Sequence, residues 1–330
     1  MSPASLARGG ARIVHDARCE LAEGPVFDPR TGRLHFFSIL EGVLHSCDAE
    51  GGARTSVRLG EMASAAALTD DPDRLLVATR TGLWRLDPGT GEKALLEPLE
   101  ADNPRTRSND GRAAPDGSFW IGTMGLGAED GAGAIYRYHP GRSPAVIGFE
   151  RRVSIPNSIA FGPDGTRLYW CDTRRRAIMA TPLDAGTGDP AGESVVHVDL
   201  SGAGPRGEDL NPDGSVVDGE GCLWNAQWGA SRVARYDPDG AFMGAVPVPV
   251  AQPSCPAFGG DDMTTLFVTT AWQGMGASRE ADAGCVFAFE TRVRGRAEAI
   301  VAPLPEPRAA VAVRAGPIPA GDEPDGAGRA

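Results

Sequence analysis

Residues 161–172 read FGPDGTRLYWCD: an apolar strand end, a Pro-Asp-Gly turn and a second apolar strand. Asp-Gly between two β-rich runs is a strong local signal for a hairpin. The same phrase recurs in five other places: 26–37, 67–78, 113–122, 216–226 and 258–269. Its turn residues, which lie 41, 44, 48, 56 and 41 residues apart, are Gly32, Asp73, Gly117, Gly165, Gly221 and Asp262. Self-similarity at this spacing indicates a repeat protein.

A second phrase follows each copy and consists of a small residue and then alternating apolar and polar residues. Its copies occupy 42–48, 82–88, 133–140, 177–184, 232–238 and 284–290. Alternation with a period of two is typical of half-buried strands, so each unit holds about four short strands in roughly 45 residues. Six units fill residues 19–290 and predict an all-β, six-bladed β-propeller, with a pair of β-sandwiches as the alternative.

Composition agrees with a chain that turns often. The 330 residues include 44 Gly and 27 Pro, about a fifth of the total against about 12% in average proteins. Because the excess is spread along the chain, collagen and low-complexity disorder are excluded. We predict a flexible N-terminus over 1–10, a single propeller over 11–302 whose ring is closed by a strand from 291–302, and a poorly ordered Pro/Ala/Gly-rich tail over 303–330.

Charge and cysteine usage limit the partners and the compartment. The formal net charge of −12 argues against nucleic acid and anionic membrane as partners. No run approaches the roughly 18 apolar residues of a membrane span, and the N-terminus lacks the apolar stretch of a secretory signal. The six cysteines form no CxxC pair or zinc spacing, so buried reduced thiols and a cytoplasmic location are expected.

A polar residue stands four positions before the last apolar residue of each predicted inner strand. The six positions are Glu23, Ser64, Asn109, Asn157, Asp213 and Ser254. Strand periodicity and blade symmetry place all six around one mouth of the central channel. A solvated channel lining is one interpretation, and a ligand site is the other. Glu, Asn and Asp converging with waters suit a hard or borderline divalent cation. None of the five histidines falls on this ring, so a His-rich zinc site is not expected.

Five longer stretches carry a resemblance to a known family. They are LAEGPVFDPRTGRLHFF (21–37), RSNDGRAAPDGSFWIGTMG (107–125), SIPNSIAFGPDGTRLYWCDT (154–173), PDGSVVDGEGCLWNAQWGASRVARYDPDG (212–240) and QPSCPAFGGDDMTTLFVTTA (252–271). Through them the chain resembles the gluconolactonase family, also called senescence marker protein or regucalcin-like. Within that family it is particularly similar to bacterial sugar-acid lactonases acting on arabino- and xylonolactone.

The resemblance implies a six-bladed propeller with one divalent cation on its axis. The family's metal ligands match Glu23, Asn157 and Asp213, and its substrate-contacting Arg and Asn match Arg107 and Asn109. Calcium or zinc is the foremost expectation for the cation, with magnesium, manganese or ferrous iron as alternatives. The family's acid/base role falls on the same aspartate that holds the metal.

One loop departs from the family pattern. Some members place a substrate-contacting Glu three residues after the Gly-Thr-Met sequence, where this chain has Gly127. Glu129 or Asp130 of the same loop is a candidate replacement, and we take Glu129 as the predicted substrate contact.

These observations predict metal-dependent hydrolysis of a sugar-acid (aldono) lactone to the open-chain aldonic acid. The cation polarises the carbonyl, and Asp213 takes a proton from water and returns it to the ring oxygen. The expected partner is a small-molecule sugar lactone, bound by a monomer or a small homo-oligomer. Two alternatives are a non-enzymatic cation-binding propeller and a propeller esterase of another class.

Overall fold

The described chain forms six blades, each built on four antiparallel strands, and the sheet of blade 2 gains two further short strands. The structure is a computed structural model that describes residues 6–142, 145–301, 303–306 and 313–314. Blade 1 contains β2 (Ala22–Asp28), β3 (Arg33–Ser38), β4 (Val43–Asp48) and β5 (Thr55–Arg58). Blade 2 contains β6 (Ala63–Thr69), β7 (Leu75–Thr79), β8 (Gly82–Leu86) and β9 (Glu92–Pro98). Blade 3 contains β10 (Thr106–Ala113), β11 (Phe119–Gly125), β12 (Gly133–Tyr138) and β13 (Val146–Val153). Blade 4 contains β14 (Pro156–Phe161), β15 (Arg167–Asp172), β16 (Ala177–Pro182) and β17 (Val195–Asp199). Blade 5 contains β18 (Asn211–Val217), β19 (Leu223–Trp228), β20 (Arg232–Tyr236) and β21 (Phe242–Pro247). Blade 6 contains β22 (Pro253–Gly259), β23 (Thr265–Thr270), β24 (Val286–Glu290) and, from the N-terminal part of the chain, β1 (Arg12–His15).

The first strand of each blade lines the centre of a closed ring. Consecutive inner strands contact one another in the order β2, β6, β10, β14, β18, β22 and back to β2. This arrangement confirms the predicted six-bladed β-propeller. Two short 3-10 helices, Thr173–Arg175 and Gly276–Ser278, lie in connections between the second and third strands of blades 4 and 6.

The repeated turns join the first and second strands of every blade, as the spacing predicted. Gly32, Gly117, Gly165 and Gly221 adopt φ between +67° and +82°, a left-handed conformation that costs a side-chain-bearing residue energy. Because all six hairpins lie at one end of the ring, which we call the lower face, the opposite ends of the inner strands share the upper face.

Apolar side chains between neighbouring blades form the core. The ring of Trp224 in blade 5 meets Phe258 in blade 6 edge-on, with centroids 5.4 Å apart. Phe27 in blade 1 stacks on Phe267 in blade 6 at 5.9 Å. Such aromatic pairs bury large areas and favour these geometries, so they join the last blade to both of its neighbours.

The prediction of the closing strand was wrong. The outer edge of blade 6 is completed by β1, whose Arg12 pairs with Ala288 of β24 in antiparallel register. The described residues 291–301 instead cross beneath the lower face, where the amide of Gly219 donates to Arg294 O and that of Gly295 to Met263 O. These backbone bonds to the lower hairpins of blades 5 and 6 draw the segment away from the sheet edge that it was expected to extend.

The C-terminal segment then enters the bottom of the ring. A two-residue strand, β25 (Ile300–Val301), pairs in parallel with Leu68 and Thr69 of the inner strand of blade 2. A second short strand, β26 (Val313–Arg314), pairs with β9. Most of the predicted tail over 303–330 lies outside the described residues. In the predicted flexible segment over 1–10, the amide of Arg8 donates to Glu290 O, and residues 1–5 lie outside the described residues.

All six cysteines are buried and free, as predicted. Among the residues that the structure describes, no helix is long and apolar enough to cross a membrane.

Candidate metal and substrate site

A β-bulge accompanies the ring position in every blade. The pairing of each inner strand with its neighbour shifts register between Glu23/Val26, Ala63/Ala65, Ser108/Gly111, Asn157/Ala160, Pro212/Ser215 and Pro253/Pro256. A bulge bends its strand and re-aims the side chain beside it. The repeated bulge therefore gives all six blades the means to direct a side chain at the upper mouth of the channel.

The two ring carboxylates meet across the axis. The carboxyl groups of Glu23 in blade 1 and Asp213 in blade 5 interact electrostatically, although blade 6 lies between them in the ring. Only 7% and 6% of these residues are exposed. Burial, and then the negative charge of Asp110, raise the pKa of Glu23 to about 8. Burial and the charge of Glu23 raise the pKa of Asp213 well above its ordinary value. Two interacting buried carboxylates titrate as a coupled pair, and a cation bound between them would favour their charged forms.

Two amides from blades 3 and 4 form the next part of the site. Asn109 Nδ2 donates to Asn157 Oδ1 and to the carbonyl of Pro156, both at 2.9 Å. Asn157 Nδ2 donates in turn to Thr173 Oγ1 at 2.9 Å, and that hydroxyl donates to Pro212 O beside Asp213. This chain of bonds fixes the orientation of Asn157, whose Oδ1 retains a second lone pair.

Arg107 supplies the positive charge of the site. Its Nη1 donates to Asn109 Oδ1 and Ser108 O, both at 2.8 Å, and the residue is 5% exposed. Burial lowers the pKa of Arg107 to about 10, against the raising effect of Glu23 and Asp213. The guanidinium therefore remains charged at neutral pH. Among the described residues no acceptor is found for its Nε and Nη2 donors, which leaves them available to a ligand.

The two ring serines serve contacts between blades. Ser64 Oγ donates to Ser108 Oγ at 2.8 Å, and Ser254 Oγ donates to the carbonyl of Ala22 at 2.5 Å. Both hydroxyls are fully buried. The ring therefore divides into four positions that make the polar cluster and two that hold adjacent inner strands together.

Glu129 is not joined to this cluster. Its carboxylate accepts the amide of Gly127 at 3.1 Å, and the residue lies in an exposed loop. Asp130 forms an ion pair with Arg174 of blade 4. No hydrogen bond or ion pair among the described residues connects Glu129 to Arg107 or Asn109.

Asp110 is a buried acid of this region that sequence reasoning missed. The residues that follow the ring positions are Gly24, Ala65, Asp110, Ser158, Gly214 and Cys255. Asp110 is the only charged member of this set, and that contrast is the signal from which it could have been found. Its Oδ2 accepts the amide of Ile159 at 2.7 Å across the blade boundary. Burial raises its pKa to about 6, partly offset by the nearby Arg112.

The donor set fits a hard divalent cation. Glu23 and Asp213 offer carboxylate oxygens and Asn157 an amide oxygen, which are ligand types that calcium and magnesium prefer and that zinc accepts. Among the described residues no group of three or more His, Cys, Asp or Glu is arranged to hold a metal. A site here thus rests on two carboxylates and an amide, and a cation would relieve the repulsion between the buried acids.

The raised pKa of Glu23 makes a prediction for the metal-free protein. A folded pKa of about 8 against 4.5 for the free side chain means that Glu23 favours folding at low pH and loses this contribution as pH rises towards 8. When chelator keeps the protein free of metal, we expect its Tm to fall as the pH rises from 5 to 8.5. The fall should be shallower in the Glu23→Gln variant. Differential scanning calorimetry measures both slopes. Glu129→Gln, an exposed control, should match the unaltered protein, and an unchanged slope in Glu23→Gln would contradict the raised pKa.

Fold and site together define a class of protein: a six-bladed propeller with a buried carboxylate–amide cluster and an arginine at one mouth of its axis. Residues 21–272 match the family described as SMP-30/Gluconolactonase/LRE-like region. The chain belongs to this family, which confirms the resemblance carried by the sequence.

Individual relatives match most of this chain and nearly all of their own length. An L-arabinolactonase from Azospirillum brasilense is 39% identical over 90% of this chain and 97% of its own. A pentonolactonase from Haloferax volcanii is 33% identical over 87% of this chain and 96% of its own. The crystal structure of a calcium-binding protein, regucalcin, from Agrobacterium tumefaciens superposes with a TM-score of 0.84, at 40% identity, over 91% of this chain and all of that one.

Proposed function

We propose that this protein hydrolyses a sugar-acid lactone to the open-chain aldonic acid, using one divalent cation held by Glu23, Asn157 and Asp213. The observation that carries the proposal is the buried Glu23–Asp213 pair beside a charged arginine with free donors. The names of the arabinolactonase and pentonolactonase relatives support the substrate class. Calcium or zinc is the proposed cation.

The side chains have distinct parts in the reaction. A cation bound with few protein ligands would polarise the lactone carbonyl and acidify water. Arg107 donates from Nε and Nη2 to substrate oxygens and orients the lactone. Asn109 is held by Arg107 and Asn157, so the substrate meets a pre-positioned amide.

Asp213 is the proposed acid/base. Its carboxylate takes a proton from water as the water oxygen bonds to the carbonyl carbon. The bond between that carbon and the ring oxygen then breaks, and Asp213 returns the proton to the oxygen that leaves. Burial and the charge of Glu23 raise the pKa of Asp213 above that of an ordinary carboxyl, which makes its carboxylate a stronger base towards the proton of water.

A metal-restoration assay tests the proposed function. Protein stripped with chelator is assayed against pentono- and hexonolactones by proton release, with calcium, zinc, magnesium, manganese or ferrous iron restored in turn. We expect turnover to disappear on stripping and to return with at least one cation. An aryl ester and an organophosphate in the panel distinguish a propeller esterase of another class.

The similarity to regucalcin from Agrobacterium tumefaciens, a calcium-binding protein, supports the alternative of cation binding without catalysis. Calorimetry on the same stripped protein separates the two functions. Tight cation binding with no turnover of any lactone would favour the alternative and reject the lactonase.

A further inference from the structure

A cavity of about 530 Å³ opens on the upper face between blades 1, 2 and 3. Its walls combine apolar and basic side chains, among them Leu40, Arg58, Met62, Arg80, Pro104 and Leu126. Leu126 is 48% exposed, which is high for a large apolar side chain. The cavity is therefore large enough for a small organic molecule, and it offers both apolar surface and positive charge.

Two segments that line the cavity lead into inner strands of the ring. Met62 precedes the ring position Ser64 by two residues, and Pro104 precedes Arg107 by three. At about 3.3 Å per residue of extended chain, Met62 lies roughly 7 Å along the chain from Ser64, and Pro104 lies roughly 10 Å from Arg107. Leu126 lies beside the segment that leads into β10, because its amide donates to Arg105 O at 2.9 Å. The segments that line this cavity therefore continue into the strands that carry Ser64 and Arg107.

Two arginines of the cavity lack partners. Among the described residues, neither Arg58 nor Arg80 has a side-chain hydrogen bond or ion pair, and Arg80 Nε is buried without an acceptor. Arg112, Arg137 and Arg235, in contrast, each pair with at least one carboxylate. A buried donor without an acceptor is rare in folded proteins and indicates that something else satisfies it.

Two carboxylates also line the cavity and reduce its positive charge. Glu61 is already engaged, since Oε1 accepts Lys93 Nζ at 3.3 Å and Oε2 accepts the hydroxyl of Thr81 at 2.8 Å. Glu41 accepts the hydroxyl of Ser38 and has no cationic partner among the described residues. With Glu61 offset by Lys93, two arginines face one carboxylate, so the cavity keeps a positive excess in a chain of net charge −12.

We propose that this cavity binds an anionic group, a carboxylate, sulfonate or phosphate, through Arg58 and Arg80. Guanidinium groups present forks of N–H donors that match the oxygens of these anions. The bound anion is either the far end of a lactone held at the cluster or a separate small anion. The first source rests on the proposed function, and the second does not.

Two measurements on the full-length protein test the proposal. The first compares kcat/KM for glucono-lactone and its 6-phosphate, and the second measures binding of inorganic phosphate by calorimetry. Arg80→Gln is expected to lower the ratio of kcat/KM, anionic over neutral, about tenfold, or to weaken phosphate binding about tenfold, since hydrogen bonds to charged groups are the strong ones. Arg292→Gln, which removes the same charge from an exposed position near the lower face, should leave both quantities unchanged.

The outcomes separate the two sources and the two proposals. A lowered ratio identifies the anion as part of the substrate, and lost phosphate binding with an unchanged ratio identifies a separate anion. If no lactone is hydrolysed, the proposed function fails while phosphate binding still tests the cavity. Equal behaviour of Arg80→Gln and Arg292→Gln in both measurements would overturn the cavity proposal.

Discussion

Replacing Asp213 with Asn is expected to lower kcat/KM for lactone hydrolysis by about 10²–10⁴-fold, the usual contribution of a positioned general acid/base. The amide keeps the shape of the side chain but cannot accept the proton of the attacking water. Because the change also removes one buried negative charge next to Glu23, the metal-free variant should be no less stable than the unaltered protein. Steady-state kinetics at saturating cation, with cation affinity measured by calorimetry, separates proton transfer from metal binding.

Asp262→Asn is the matched control for this substitution. Asp262 lies in the exposed lower turn of blade 6, where its Oδ1 accepts the amide of Thr264 at 3.0 Å, and Asn can make the same bond. Its activity should equal that of the unaltered protein. If Asp213→Asn retained activity within tenfold at saturating cation, Asp213 would have no part in the proposed proton transfer.

Replacing Glu298 with Ala is expected to lower the free energy of unfolding by about 3 kcal/mol, since it removes the ion-pair partner of the buried Arg112. Glu298 of the C-terminal segment forms an ion pair with Arg112 inside the lower end of the channel, and their side chains are 12% and 10% exposed. Arg112 Nε also donates to Ile159 O, and Nη2 to Ser215 O. The guanidinium thus joins blades 3, 4 and 5 to the segment that closes the bottom. Urea denaturation followed by tryptophan fluorescence measures the loss.

Glu306→Ala provides the comparison from the same C-terminal segment. Glu306 lies 3.9 Å from Arg85 and its side chain is 94% exposed, so its removal should change stability by no more than about 0.5 kcal/mol. Equal stabilities of the two variants would show that the buried pair contributes nothing beyond a surface contact. Glu298→Gln, which keeps the size and one acceptor, should fall between them.

The blade count was predictable because the signals for it are local. A Pro/Asp/Gly turn and a strand with a period of two each depend on residues within about ten positions of one another. Six copies of this pair of signals leave little choice of architecture. The strand that closes the ring was not predictable in this way, because the edge of β24 accepts any segment with strand alternation. Residues 12–15 pair with this edge, whereas residues 291–301 bond to the lower hairpins.

The site was predictable where blade symmetry applies and not where it breaks. Glu23, Asn157 and Asp213 occupy equivalent positions, so their convergence followed from the repeat. Asp110 has no charged counterpart in other blades, and a search for equivalent residues passes over it. The loop carrying Glu129 has no equivalent either, and its carboxylate bonds to its own backbone.

The sequence by itself determined the six-bladed ring, the face on which the polar cluster lies and the four ring residues of that cluster, because these follow from spacing repeated along the chain. Only the tertiary structure decided which polar groups touch. The interaction between Glu23 and Asp213 joins blades 1 and 5, and the pair of Arg112 and Glu298 joins residues 186 positions apart. The unpartnered arginines of the upper cavity come from two different blades. Such contacts depend on burial and on which side chains already have partners, and neither property can be predicted from the local sequence pattern of a strand.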